Sequence, residues 1–325
     1  MSLFGSPDVE KLKAKGDVKG LIKALSYKKD PATRRAAAEA LGEMGDVRAV
    51  EPLLAALRAD ESIRIPAIKA LGQIGDTRAV RILVSARANK DEETAQAGLE
   101  ALRQLGPAGV DAVTAILQNT EQETVFRVMA AQALGQIGDP RAFEPLLATF
   151  QEDDPTGWLA EAAAEALGTL GDSRAFDPLV ATLNDKDADE GLREASAKAL
   201  GHLGDSRAVE SLIATFEETD PDGYEWPLQT SSAQALAELG DSRAVDAILK
   251  ALEDYAIEYW EFQYAMVKAL EQLGDQRAAG SLIELFGAEF FCAQEEAIEV
   301  LRTLTGQDLG EDPERWKQWW EAQKH

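Results

Sequence analysis

The chain has 325 residues and a formal net charge of −25, from 33 Lys and Arg against 58 Asp and Glu. A surface of that sign repels phosphate backbones and anionic membranes and attracts basic proteins, peptides or metal cations, which argues against a nucleic-acid role. The single cysteine, Cys292, has no partner for an intrachain disulfide, and no apolar run reaches the roughly 18 residues of a membrane span or the length of a leader peptide, so the expectation is a cytoplasmic protein with Cys292 as a small core residue.

The first thirty residues carry seven Lys against four Asp and Glu, a local charge of +3. They read as a solvated N-terminal cap or half repeat over 1–29. From Asp30 onward one phrase recurs: "LGEMGDVRAV" from Leu41, then "LGQIGDTRAV", "LGQIGDPRAF", "LGTLGDSRAF" and "LGHLGDSRAV". Its glycine falls at 16, 45, 75, 106, 138, 171, 204, 240 and 274, in steps of 29 to 36 residues, the length of a helical hairpin. Before the glycine, apolar residues follow i, i+3, i+4, i+7, as in Ala37, Ala40, Leu41 and Met44. After it the same spacing returns at Val50, Leu53, Leu54 and Leu57. Each unit is therefore two amphipathic helices, and 30–305 is a run of such units.

The local chemistry explains the repeated letters. Glycine suits the left-handed residue that ends the first helix, and the following Asp can accept from free N–H groups at the start of the second. Two residues on stands Arg48, Arg78, Arg141, Arg174, Arg207, Arg243 or Arg277, a cation near a helix N-terminus that needs a carboxylate. The Asp of its own or the adjacent unit is the expected partner, forming a ladder that ties units together. First helices are expected to open on Asp-Pro in "KKDPATRR" and "EDDPTGW". No period-2 run bounded by hairpin turns competes.

The fourth unit, "LRQLGPAGVDAV", has Pro107 and Ala108 after its glycine and lacks the arginine, so stacking should be irregular near 106–110. Between Glu144 and Gly191 there are twelve Asp or Glu against two Arg or Lys. Aromatic residues accompany the acids at Trp158, Tyr224, Trp226, Tyr255, Tyr259 and Trp260, a composition common at interfaces and equally compatible with aromatics that cover long loops. The chain closes with "LGEDPERWKQWW", a helix with Asp312 as N-cap and Trp316, Trp319 and Trp320 on one face, read as a capping helix over 306–325.

These units, of the form "ALGxxGDxRAVxPLLxAL", resemble HEAT repeats, and more narrowly the short HEAT-like repeats of the phycobilisome lyase type. The resemblance covers about Asp30 to Leu285. It implies an all-α fold, a right-handed α-solenoid of about nine stacked hairpins with terminal caps, in which second helices line a concave face that holds protein partners.

Two functions follow. The first is a non-enzymatic scaffold, expected to be a monomer, that binds a basic protein or peptide on an acidic face and inter-repeat loop edge. The resemblance places the residue before proline toward the groove, here Glu51, Arg81, Glu144, Asp177, Glu210, Asp246 and Gly280. Glu161, Glu165 and Glu194 at helix starts extend that face, with Trp158, Tyr224, Trp226, Tyr259 and Trp260 beside it. The second, from the family's name, is a bilin lyase subunit or phycobilisome-associated factor; the propionates of a tetrapyrrole would need the basic group Arg78, Arg81 and Arg87. No cofactor is expected. Asp185, Asp187 and Asp189 alternate as at the start of a calcium loop, but Glu190 replaces its glycine and Ser196 its closing Glu, leaving a weak candidate metal site. His202 and His325 are the only histidines, which leaves no paired metal or nucleophilic constellation.

Overall fold

The computed structural model describes residues 6–152, 154, 156–217, 226–254, 260–286 and 292–323. These contain helices and turns and no strand. The chain divides into two compact units, Met1–Ala166 and Leu167–His325. The first holds α1 (Val9–Ala14), α2 (Val18–Ala24), α3 (Pro31–Met44), α4 (Val50–Ala59), α5 (Arg64–Ile74), α6 (Val80–Arg87), α7 (Glu92–Gln104), α8 (Gly106–Gln118), α9 (Thr124–Ile137), α10 (Phe143–Phe150) and most of α11 (Trp158–Leu170). The second continues with α12 (Phe176–Asn184), α13 (Glu190–Leu203), α14 (Val209–Phe216), α15 (Trp226–Leu239), α16 (Ala244–Asp254), α17 (Trp260–Leu273), α18 (Ala278–Phe286), α19 (Gln294–Thr305) and α20 (Pro313–Gln323). The fold is an all-α solenoid of helical hairpins.

Each hairpin turns where the sequence places its punctuation. All nine recurring glycines adopt positive φ, between 57° and 78°, the region an L side chain enters only at a cost. The other glycine of "LGxxGD" has a separate duty that the sequence pattern conceals. A Cβ built on Gly42 would stand 2.7 Å from Ala70 Cα, and one on Gly168 would stand 2.6 Å from Ala199 Cα, so consecutive first helices approach backbone to backbone. Gly72, Gly135 and Gly201 repeat this contact against Ala101, Ala166 and Ala235.

The fourth unit departs for the same physical reason. Arg103 occupies the close-approach position, so α7 and α9 touch less closely than α3 and α5 do. Across this unit α6 packs directly on α9: Arg81 donates to Gln122 Oε1 at 2.7 Å with its guanidinium 4.0 Å from the Phe126 ring centroid, and Arg87 bonds Gln136. A contact that skips a unit is unusual in an array where each repeat ordinarily touches its neighbours.

A second row of side chains closes the opposite edge. The last carbonyls of a helix lack intrahelical donors. Arg127 Nε donates to Leu117 O at 2.6 Å and Arg193 Nε to Leu183 O at 3.0 Å, both side chains buried, and Arg127 also grips Glu152 with both terminal nitrogens. Arg34 Nη1 donates in a similar way to Tyr27 O, in the turn after α2, at 2.9 Å.

At the C-terminus Trp316 is fully buried and donates to Gly310 O at 2.8 Å, while Trp320 lies against Gly280, where a Cβ would meet its ring at 3.0 Å. α20 therefore lies over α18. Two expectations need correction. Asp154 accepts from Thr156 N and Leu159 N at 3.0 and 2.8 Å, so α11 begins at Trp158 rather than at the Asp-Pro step. Cys292 is exposed: it sits just before α19, and the neighbouring Ala293 takes the core position.

Candidate functional site

The turn after each first helix sets the charge pattern of the surface. Asp46 caps a short 3₁₀ turn, Val47–Ala49, by accepting from Arg48 N at 2.9 Å, and the Arg48 side chain folds back on the same carboxylate. The side-chain bond from Arg48, reinforced by the Arg48 backbone N–H, lowers the Asp46 carboxyl from 3.8 to about 2. Asp76, Asp139, Asp172, Asp205, Asp241 and Asp275 are lowered by the same arginine contacts.

The arginines also reach back to the preceding hairpin, but to a different acid from the one expected. Arg141 Nη1 lies 3.1 Å from Asp111, Arg277 Nη1 3.3 Å from Asp246, Arg78 Nη1 3.6 Å from Glu51, and Arg243 is paired with Glu210. Asp177 lies close enough to Arg207 to favour its charged form. The neighbouring Asp is already occupied by its own arginine, so the second guanidinium edge finds an acid of the preceding second helix, in the first turn for Glu51, Glu210 and Asp246 and in the second turn for Asp111. Glu51, Asp177, Glu210 and Asp246, expected at a partner surface, are thereby placed beside the ladder; Glu144 is exposed. Gly280, in the same slot, is covered by Trp320.

First helices present a different row. Trp158 is 64% exposed, and Glu161 and Glu165 beside it on α11 are half-buried. Glu194 on α13 accepts from Lys198 Nζ at 2.7 Å and Ser231 Oγ at 3.1 Å. Trp260 is 51% exposed and stacks at 5.4 Å on Tyr264, itself 37% exposed. Tyr264 was not among the expected residues, although its i+4 spacing from Trp260 was available as a signal. Tyr224, Tyr255 and Tyr259 lie outside the described residues; Trp226 opens α15, and its side chain lies outside them too.

The remaining candidates do not gather into sites. Asp185 accepts from Asp187 N and Asp189 caps α13, so two of the three carboxylates serve the chain's own turns. Among the described residues no three His, Cys, Asp or Glu are arranged to hold a metal ion. His202 is exposed, 3.9 Å from Glu238. Arg78, Arg81 and Arg87, the group a bilin would require, are engaged with Asp76, Gln122 and Gln136. A cleft of about 670 Å³ between α3, α5 and α7 is lined by Arg35, Glu39, Arg64, Lys69 and Asp91, charges of both signs. The net charge is not shared evenly: residues 1–166 hold 20 Lys and Arg against 25 Asp and Glu, a net of −5, whereas 167–325 hold 13 against 33, a net of −20.

Comparison with known proteins agrees with this architecture. The family of HEAT repeats matches at residues 18–103, 85–157, 152–225 and 222–302. Kap121p bound to Pho4p is 12% identical, with 97% of this chain and 40% of that chain covered at a TM-score of 0.58. Importin beta is 13% identical over 95% of this chain and 51% of that one, at a TM-score of 0.53. The complex of CpcE and CpcF of phycocyanin lyase from Nostoc sp. PCC7120 is 21% identical over 75% and 94%, at a TM-score of 0.42. The karyopherin likenesses are likenesses of fold, and the chain spans about 40% of Kap121p. Among curated protein sequences none matches this chain. No helix among the described residues is long and apolar enough to cross a membrane.

Proposed function

The chain belongs to the HEAT-repeat family, and from that premise we propose that it is a non-enzymatic scaffold that binds a basic protein or peptide. The observation that carries this reading is the concentration of charge: the segment 167–325 has a net of −20 and also bears the exposed aromatic pair Trp260 and Tyr264. A basic partner would be steered to such a surface, and screening would weaken the association.

Within this proposal the two rows of acids divide the work. The second-helix acids Glu51, Glu210 and Asp246 already serve arginines of the following hairpin, so they contribute background potential more than contact. Contact is assigned to the first helices for their exposed aromatics, Trp158 on α11 and Trp260 on α17, with Glu161, Glu165 and Glu194 adding negative potential beside them. Aromatic anchors supply most of the energy at interfaces of this composition.

The test is a titration of the full chain against labelled basic, neutral and acidic peptides of equal length at low and high salt, read by fluorescence anisotropy. The proposal requires the basic peptide to bind and to be released as salt rises. Equal binding of all three, or preference for the acidic peptide, would remove it.

A further inference from the structure

Resting on the scaffold reading, we infer that Trp260 and Tyr264 form the anchor for one cationic side chain, arginine or lysine, of an extended basic segment in a protein partner, with Glu261, Glu295 and Glu299 supplying the counter-charge. The two rings stand one turn apart on α17, stacked at 5.4 Å with an interplanar angle of 32°, and both are exposed. Two exposed aromatic rings side by side are an unfavourable arrangement for a solvated helix face unless something covers them.

The surroundings select the occupant. α19 packs beside α17, and it brings Glu295 and Glu299, spaced i, i+4 and both exposed, to that side of the unit. Glu271 chiefly, with Glu299 adding to it, holds Lys268 above its ordinary value, so α19 sets Glu299 near the helix that carries the two rings. Lys268 is the cation already present, and its Nζ is turned to Glu271 at 2.7 Å. Glu261, next to Trp260, is exposed, and it and Glu295 stand outside the arginine ladder. An electron-rich ring face beside carboxylates favours a guanidinium or ammonium over a neutral or anionic group. The chain uses this contact internally: the Arg207 guanidinium lies 4.0 Å from the Phe176 ring centroid, and Arg81 lies at the same distance from Phe126. The segment 167–325, with its net of −20, would draw a basic peptide toward these rings and repel an acidic one.

The experiment uses the full chain, a fluorescein-labelled Arg-Gly repeat peptide, and the same peptide with citrulline in place of arginine, which keeps the shape and removes the charge. Trp260→Ala should weaken binding of the arginine peptide about tenfold and leave the citrulline peptide unaffected, since a desolvated cation–π contact has that magnitude. Trp260→Phe should recover part of the loss, and Glu261→Gln with Glu295→Gln and Glu299→Gln should weaken binding and flatten its salt dependence. Thermal melts by circular dichroism check that each variant is folded. If wild type binds the arginine peptide and Trp260→Ala and Tyr264→Ala bind it equally well, the anchor is overturned while the scaffold reading stands. If wild type binds no basic peptide, both fall. Self-association in sedimentation that Trp260→Ala abolishes would make a second copy the occupant and overturn the inference.

Discussion

Arg141 closes a two-pronged pair with Asp139 in its own turn, and its third nitrogen reaches 3.1 Å back to Asp111 on α8 of the preceding hairpin. One guanidinium thus holds a cap and joins two hairpins that lie some thirty residues apart in sequence. The same geometry recurs at Arg277 with Asp275 and Asp246.

Because Asp139 also accepts from Arg141 N at 3.0 Å, Asp139→Ala removes an N-cap together with the pair. We expect a loss of about 1 kcal/mol in urea unfolding. An unchanged midpoint would mean that water replaces the cap at no cost.

The ladder also sets a pH dependence. Asp46 has its folded value depressed from 3.8 to about 2, so its contribution to stability is complete above the ordinary value and is lost as pH falls through the folded one. The other ladder aspartates are depressed in the same direction. Urea midpoints should therefore hold from neutral pH to about 5 and fall between about 4 and 2. Relief of self-repulsion acts oppositely in all variants, so the decisive comparison is with Asp46→Asn, whose decline over that window should be shallower than that of wild type.

Gly168→Ala should destabilise by about 2 kcal/mol, although alanine is the better helix former by about 1 kcal/mol, because the added methyl would meet Ala199 Cα and O at 2.6 Å. Gly204, at φ +72° with open space around it, should lose about 1 kcal/mol on the same change through backbone strain alone. Unfolding midpoints of the two variants, measured side by side, separate crowding from strain.

Arg127→Ala leaves Leu117 O and Glu152 without their donors beneath a side chain that is 8% exposed. The expected cost is about 3 kcal/mol. Arg127→Lys should recover little, since an ammonium cannot serve two carboxylate oxygens and a carbonyl in one plane. Full recovery by lysine in a denaturation curve would show that charge alone matters there.

Trp316→Ala empties the centre of the C-terminal cap and removes the bond to Gly310 O, at a cost of about 3 to 5 kcal/mol. Hydrogen exchange should then rise first in α18 and α20, with α13 to α15 following only at higher denaturant.

Most of the fold was legible because its determinants are local. The helix stripes, the left-handed glycines and the caps at Asp30 and Asp46 each depend on residues within four positions, so the repeated phrase carries them wherever it occurs. The candidate surface was legible only in part. Trp158 and Trp260, read from the sequence as aromatics accompanying acids, open α11 and α17, whereas Tyr264 was passed over, and Glu51, Glu210 and Asp246 had ladder partners that no spacing reveals.

The sequence by itself determined a HEAT-type all-α chain, its punctuation, its acidity and its lack of a histidine or cysteine constellation. Tertiary packing alone decided that Arg141 meets Asp111, that Gly42 must be small because Ala70 lies against it, that α9 packs on α6, and that Cys292 is exposed while Ala293 is buried. The reason is one of range. A cap or a stripe is set by the pitch of a single helix, whereas which residue stands across from another depends on how two helices thirty residues apart settle against each other, and that is fixed only when their buried side chains interlock.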